Sequence, residues 1–148
     1  MKKAIILAAG KGTRLFPITK NIPKCLVKIK NKSILERQIE VFKDLGFKEI
    51  IVVTGYKNEK ITNSGILKVY NNRFDETNML YSLFCAKEYM NDDVIISYGD
   101  IIFKKSVLNE LINSKEEITI VSDSLWLNYW KERFDDPLDD AESFIKKK

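Results

Sequence analysis

The chain has 148 residues, 45% hydrophobic and 11% aromatic by count, with 25 Lys and Arg against 21 Asp and Glu, two cysteines and no histidine. That length suits one domain able to bury about 68–70% of its unfolded surface, and the composition rules out a wholly disordered chain. The missing histidine removes Ser–His–Asp and Cys–His triads, HExxH zinc sites and every imidazole acid–base mechanism.

The net charge of +4 hides an asymmetry: residues 1–74 carry 16 basic and five acidic side chains, residues 75–148 nine and 16. Nine lysines and arginines precede the first acid, Glu36, so an anionic ligand is expected at the N-terminal end. Cys25 and Cys85 stand outside any CxxC spacing and read as structural thiols of a reduced, cytoplasmic protein. Gly10 and Lys11 stop the first apolar run before signal-peptide length, and no run approaches the roughly 20 residues of a membrane helix.

In chain order, residues 4–9 (AIILAA) form an unbroken apolar run closed by glycine, the pattern of a strand buried on both faces. Residues 10–23, holding Gly10, Gly12, Pro17 and Pro23, are expected to form a long ordered loop. Ser33 and Glu36 make a capping-box pattern, and Ile34, Leu35, Ile39, Phe42 and Leu45 then recur at helical spacing up to Gly46. Residues 49–54 (EIIVVT) read as a second buried strand, and residues 67–70 as a weaker third. Thr77 is placed to cap a helix running to about Met90, with Leu80, Leu83, Phe84 and Lys87 on one stripe. Residues 94–98 read as a fourth strand ending in Gly99-Asp100, residues 106–113 as a short helix, and residues 118–121 as a fifth strand. Strands alternating with helices imply an α/β fold with a mainly parallel sheet and helices on both faces. Ligands of such sheets bind at the carboxyl ends of the strands, so the loop after the first strand and the one at Asp100 matter most.

Residues 7–15 (LAAGKGTRL) do not fit the common phosphate loops. A dinucleotide GxGxxG would need glycine where Leu15 sits, and Gly10 has no Walker A continuation. What remains is a small-residue turn whose backbone amides can approach a phosphate closely, with Thr13 and Arg14 beside it. Arginine presents planar, bidentate donors to phosphate oxygens. Behind it Lys24, held on the stiff Pro23 peptide, would act as a point charge. A GxG alone is more often a glycine turn with solvated charges; the ordered set Gly10, Gly12, Arg14, Pro17, Pro23, Lys24 favours a phosphate site.

The run LAAGKGTRLFPITKNIPK, residues 7–24, resembles the signature of the nucleotidyltransferases that activate sugar-1-phosphates and phosphocholine. These enzymes join a substrate phosphate to a nucleoside monophosphate and release pyrophosphate. The resemblance implies a Rossmann-like three-layer sandwich and a nucleotide held by Leu7, Ala8, Ala9, Gly10, Gly12, Thr13 and Arg14. It gives catalytic roles to Arg14, Lys24 and Asp100, with Asp100 binding Mg²⁺ on the nucleotide phosphates as part of a G-D-x-x-F segment. One carboxylate plus phosphate oxygens suits that hard cation. A phosphate nucleophile is already ionised at pH 7, which fits a chain without histidine. Cys25 departs from the proline or alanine common after that lysine, with no chemical consequence expected.

Two segments point to the phosphocholine cytidylyltransferase-like branch. Asn78-Met79-Leu80-Tyr81-Ser82-Leu83 is similar to an N-x-x-Y-S-L segment near the nucleotide, which implicates Asn78 and Ser82; an ordinary amphipathic helix start is the other reading. In residues 123–144, Trp126, Tyr129, Trp130 and Phe134 recur at helical spacing ahead of Asp135, Asp136, Asp139, Asp140 and Glu142. Aromatic faces beside carboxylates suit a quaternary ammonium, which makes Trp126, Tyr129 and Trp130 substrate candidates. A helix burying its aromatic stripe, followed by a solvated acidic turn around Pro137, is the other reading, and a stripe at helical spacing is what a core helix shows.

The expected activity is Mg²⁺-dependent transfer of a nucleoside monophosphate, from CTP by preference, to a phosphorylated small molecule of the phosphocholine kind. A sugar-1-phosphate acceptor and a non-catalytic nucleotide-binding domain are the alternatives. Residues 1–148 are expected to be the N-terminal part of one nucleotidyltransferase domain, with a nucleotide-binding portion 1–122 and a substrate-side segment 123–148. Family domains continue further, to a late acidic segment with a second metal carboxylate. No nucleic-acid partner is expected, because the lysines are scattered without interleaved aromatics, and no membrane partner; a homodimer covering the unfinished sheet edge stays open.

Overall fold

A computed structural model describes residues 2–141, so Glu142 and Phe144 lie outside the described residues. The chain divides into two compact units, Met1–Asn109 and Glu110–Lys148.

The first unit opens with β1 (Lys3–Ala8), followed by 3₁₀ turns at Thr13–Leu15, Ile18–Lys20 and Lys24–Leu26. A short hairpin, β2 (Lys28–Ile29) and β3 (Lys32–Ser33), leads into α1 (Ile34–Asp44). Then come β4 (Glu49–Thr54), β5 (Leu67–Tyr70), α2 (Met79–Cys85) and β6 (Val94–Tyr98). Helix α3 (Lys105–Asn113) runs across the division between the units, and α4 (Trp126–Lys131) lies in the second.

The four long strands form one parallel sheet in the order β5-β4-β1-β6. Side chains alternate along a strand, so register fixes which residues share a face. Ile5, Ile51 and Val53 form one buried cluster with Ala86, and Leu83, Cys85 and Tyr89 of α2 and the turn after it pack against them. On the opposite face Ala4, Ile6, Ile50 and Val52 are equally buried. Ile6 pairs in register with Ser97, whose hydroxyl donates to Gln38 of α1, so α1 covers this second face. Phe42 of α1 makes edge contacts with Phe47 and Phe103 at centroid distances of 5.1 and 5.8 Å. Each fully buried Ile, Leu or Phe contributes about 1.5–3 kcal/mol, and the two apolar faces explain why β1 and β4 read as continuous hydrophobic runs.

The ends of α1 follow its sequence. Ser33 Oγ accepts from the Glu36 amide at 3.1 Å, and Glu36 Oε2 accepts from the Ser33 amide at 2.6 Å. Hydrogen bonds to its carboxylate, first from the Ser33 backbone amide and then from the Ser33 side chain, hold the Glu36 carboxyl below its ordinary pKa. Gly46 follows the helix at φ +80°, a left-handed conformation in which other residues are strained.

Four expectations need correction: the cap of α2, its end, its buried stripe and the strand at residues 118–121. Asn78, not Thr77, caps α2: its side chain accepts from the Tyr81 amide at 3.1 Å, while the Thr77 hydroxyl donates to the Arg73 carbonyl. Helix α2 ends at Cys85 and passes into a 3₁₀ turn at Lys87–Tyr89 instead of running to Met90. Its buried side carries Ser82 and Ala86 with Leu83 and Cys85 alongside, while Leu80 and Phe84 are exposed; of two competing stripes, the sheet takes the one with smaller side chains. Residues 118–121 form no strand, and Ile118 and Ile120 are 83% and 77% exposed. β-branched residues favour an extended backbone, but a strand needs a hydrogen-bonded neighbour, and these residues are outside the four-stranded sheet.

Candidate functional site

Successive connections carry the chain from β1 outward to β4 and β5, then back across to β6 on the other side of β1. The direction of strand order thus reverses between β1 and β6, and a crevice opens outside their carboxyl ends. Two hydrogen bonds frame it: the Tyr56 amide donates to the Ala9 carbonyl at 2.9 Å, and the Gly99 amide to the Leu7 carbonyl at 2.8 Å. A side chain at Gly99 would place its Cβ 2.8 Å from that same carbonyl oxygen and 2.9 Å from Ala8 Cβ. Glycine there lets β6 lie close against β1, which puts Asp100 at the lip of the crevice.

The loop after β1 forms the opposite wall. Gly12 has φ +64°, and a Cβ there would sit 2.9 Å from Lys24 Cβ. Glycine is therefore required both by the left-handed backbone and by the close passage of Lys24. Thr19 is fully buried and its hydroxyl donates to the Gly12 carbonyl at 2.7 Å, tying the loop to the turn beyond it. Lys11 leaves the crevice; its ammonium lies 3.6 Å from Asp75 and 5.7 Å from the centre of the Phe74 ring. Lys24 Nζ forms an ion pair and hydrogen bond with Asp100 Oδ2.

A third wall comes from the segment between β5 and α2. Asn71, fully buried at the end of β5, donates through Nδ2 to Thr77 Oγ1 at 3.1 Å and to Ser82 Oγ at 3.0 Å. Its Oδ1 accepts from the Arg73 amide at 2.9 Å, so one amide organises residues 71–82. The cavity between these walls has a volume of about 330 Å³. Leu7, Ala8, Ala9, Gly10, Gly12, Thr13, Arg14, Lys24, Asn78, Ser82 and Asp100 all line it. The nucleotide and catalytic candidates of the sequence thus converge from residues nearly a hundred positions apart.

Reading the sequence missed several lining residues, among them Cys25, Phe74, Thr77, Met79 and Tyr98, and both buried amides, Gln38 and Asn71. A signal existed for Gln38, a polar residue on the apolar stripe of Leu35, Ile39 and Phe42. Cys25 is buried beside Lys24, and burial pushes its thiol up to about 12, which leaves it protonated and inert. Among the described residues no cluster of three His, Cys, Asp or Glu side chains could hold a metal ion alone. Among the described residues, Asp100 is the one carboxylate lining the cavity.

The three acceptor-side candidates, Trp126, Tyr129 and Trp130, belong to α4 in the second unit. Trp126, Tyr129 and Phe134 each make ring contacts with Trp130 at centroid distances of 5.6–6.4 Å, and none of the α4 residues is fully buried. The Arg133 guanidinium lies 4.9 Å from the Trp130 ring centre and 5.5 Å from that of Tyr129. Those ring faces thus already carry a cation of this chain. Asp136 accepts from the Leu138 amide at 2.9 Å and caps the turn Pro137–Asp140.

The geometry agrees with three likenesses to known proteins. The chain is 46% identical to the CTP:phosphoglutamine cytidylyltransferase of Campylobacter jejuni, over 95% of this chain and 60% of that protein. It is 40% identical to the choline-phosphate cytidylyltransferase of Streptococcus pneumoniae, over 76% of this chain and 51% of that protein. A solved structure of the CTP:phosphocholine cytidylyltransferase from Streptococcus pneumoniae superposes with a TM-score of 0.66 at 39% identity, covering 70% of this chain and 47% of that one. The chain spans between about half and three-fifths of the length of these relatives. Residues 4–131 match the model of the MobA-like NTP transferase domain, the family to which this chain belongs.

Proposed function

We propose that the crevice between β1 and β6 binds CTP with Mg²⁺ and supports transfer of its cytidylyl group to a phosphorylated small molecule. The observation that carries this reading is the pairing of Lys24 with Asp100 across a cavity walled by the Gly12 loop. A cation for phosphate oxygens and a carboxylate for a metal face each other, and both are only partly exposed, at 30% and 38% of their side-chain surface.

An ion pair this accessible contributes about 0.2–1 kcal/mol. A micromolar ligand supplies about 8 kcal/mol, so an arriving triphosphate can part the pair at little cost. Lys24 then turns to the phosphates, Arg14 adds bidentate donors, and the Asp100 carboxylate becomes available to the metal. The donor set fits Mg²⁺, which commonly takes one or two carboxylates and completes its octahedron with phosphate oxygens and water. When bound, the metal supplies charge neutralisation and Lewis acidity at the phosphates.

The reaction needs no base from the protein. An ionised oxygen of the acceptor phosphate attacks the α-phosphorus of CTP, a new P–O bond forms, the bond from that phosphorus to the α–β bridging oxygen breaks, and pyrophosphate leaves. Lys24 and Arg14 hold the reacting groups and offset the charge that builds in the transition state, the main task in phosphoryl-type transfers. The cytoplasm, where CTP is available and two unpaired cysteines stay reduced, is the proposed location.

For the acceptor, phosphocholine and phosphoglutamine are both proposed, because they are the phosphorylated substrates named for cytidylyltransferases that this chain resembles. Pyrophosphate release should be measured with CTP or UTP against phosphocholine, phosphoglutamine and glucose-1-phosphate. Release with CTP and either of the first two acceptors supports the reading. Preference for UTP with glucose-1-phosphate contradicts it.

A further inference from the structure

We infer that Gln38 is a positioning residue for the Asp100 carboxylate, acting through the backbone of the turn that follows β6. The inference rests on the reading of Asp100 as the carboxylate that meets the nucleotide's metal.

Gln38 sits on the buried stripe of α1 with 1% of its surface exposed. An amide there costs several kcal/mol unless its hydrogen bonds are met, so packing alone would favour leucine or methionine. Every bond it makes goes to one place. Nε2 donates to the Tyr98 carbonyl at 2.8 Å and to the Ile101 carbonyl at 2.7 Å. Oε1 accepts from the Ser97 hydroxyl at 3.0 Å. These contacts fix the orientation of the amide, because the flipped form would set its oxygen against two carbonyl oxygens.

The bonded carbonyls belong to the residues flanking Gly99-Asp100. From the other side, the Gly99 amide is held by the Leu7 carbonyl of β1. The peptide leading into Asp100 is thus clamped between the sheet and α1, and the carboxylate keeps only its own side-chain torsions. A carboxylate fixed in advance binds a metal without ordering the turn at that moment, a role that neighbours of metal ligands commonly fill. The bonds of Gln38 go to the backbone on either side of Asp100 and to Ser97, so the effect travels through the turn.

The test is calorimetric titration of the 148-residue chain with CTP in EDTA, and then of the CTP-loaded chain with Mg²⁺. Gln38→Met keeps the side-chain length and removes the bonds. It should leave metal-free CTP affinity unchanged and weaken apparent Mg²⁺ affinity by about 10–100-fold, the range for lost supporting bonds at metal sites. Ser97→Ala, which spares both bonds donated by Gln38, should fall between Gln38→Met and the parent. If Gln38→Met does not fold, Gln38→Asn, too short to reach both carbonyls, carries the same expectation. Parent-like Mg²⁺ affinity in either folded variant overturns the inference, provided Asp100→Asn loses it. A parent chain with no metal-dependent step, or an Asp100→Asn chain that keeps one, overturns the reading of Asp100 and the inference with it.

Discussion

Lys24 and Asp100, 76 residues apart in sequence, close on each other across the mouth of the cavity between β1 and β6. Neither element alone would hold the pair: Lys24 arrives past Gly12 on a 3₁₀ turn, and Asp100 on a strand drawn against β1 at Gly99. The same two groups satisfy each other and, on the proposed function, separate onto opposite charges of a metal–nucleotide complex.

Removing either charge should therefore be far more damaging to turnover than to folding. Lys24→Met and Asp100→Asn are each expected to lower turnover by about 10²–10³-fold, the usual scale for one preorganised electrostatic group. Melting temperature should shift by no more than a few degrees, since the exposed pair contributes about 1 kcal/mol or less. Steady-state rates and thermal melts on the same preparations check both halves.

Gly12→Ala should act on shape instead of charge. Its Cβ would lie 2.9 Å from Lys24 Cβ on a backbone at φ +64°. The expected outcome is about 1–2 kcal/mol of lost stability together with weaker CTP binding. Gly10→Ala is the control for stability alone, because a Cβ at Gly10 meets no atom of the chain within 4 Å, while Gly10 itself lines the cavity proposed for the nucleotide. Calorimetry on the two variants should separate them clearly.

The capping box sets an acid limit on α1. Because the Ser33 bonds lower the Glu36 pKa in the folded chain, its contribution is fully present above the unfolded carboxylate value near 4.5 and is lost as pH falls through the lower folded value. Glu36→Gln should flatten that part of the stability–pH curve. Ser33→Ala should cost about 1 kcal/mol near neutrality. Urea unfolding as a function of pH measures both.

Thiol chemistry should distinguish the two cysteines. Cys25 is buried, with its pKa raised to about 12, and is expected to resist a disulfide reagent until the chain unfolds. Cys85 is half-buried and should react first. Labelling kinetics followed by mass spectrometry reads the order.

Much of this architecture was legible because each signal was local. The runs at β1 and β4 are apolar on both faces, the Ser33–Glu36 box marks the start of α1, and residues 7–24 carry a dense loop pattern ahead of Lys24. What escaped depends on contacts that no local window contains. Gln38 looks like a misplaced polar residue until Ser97, Tyr98 and Ile101 appear beside it, and Asn71 gains meaning only when Thr77 and Ser82 fold back onto it. The cap of α2 fell one residue later than expected because Thr77 and Asn78 are both competent, and the Arg73 carbonyl recruits Thr77. Residues 118–121 show the opposite failure, a strand-like composition without a strand partner. The aromatic stripe of α4 was seen, but the cation above it, Arg133, comes from the chain itself.

The most direct test of the central claim is a crystal structure of the chain with CTP and Mn²⁺, located by its anomalous signal. The account predicts a manganese peak in coordinating contact with the Asp100 carboxylate, with the triphosphate along residues 10–14 and Lys24 swung onto it. A nucleotide bound outside the crevice, or a metal with Asp100 still paired to Lys24, would contradict it.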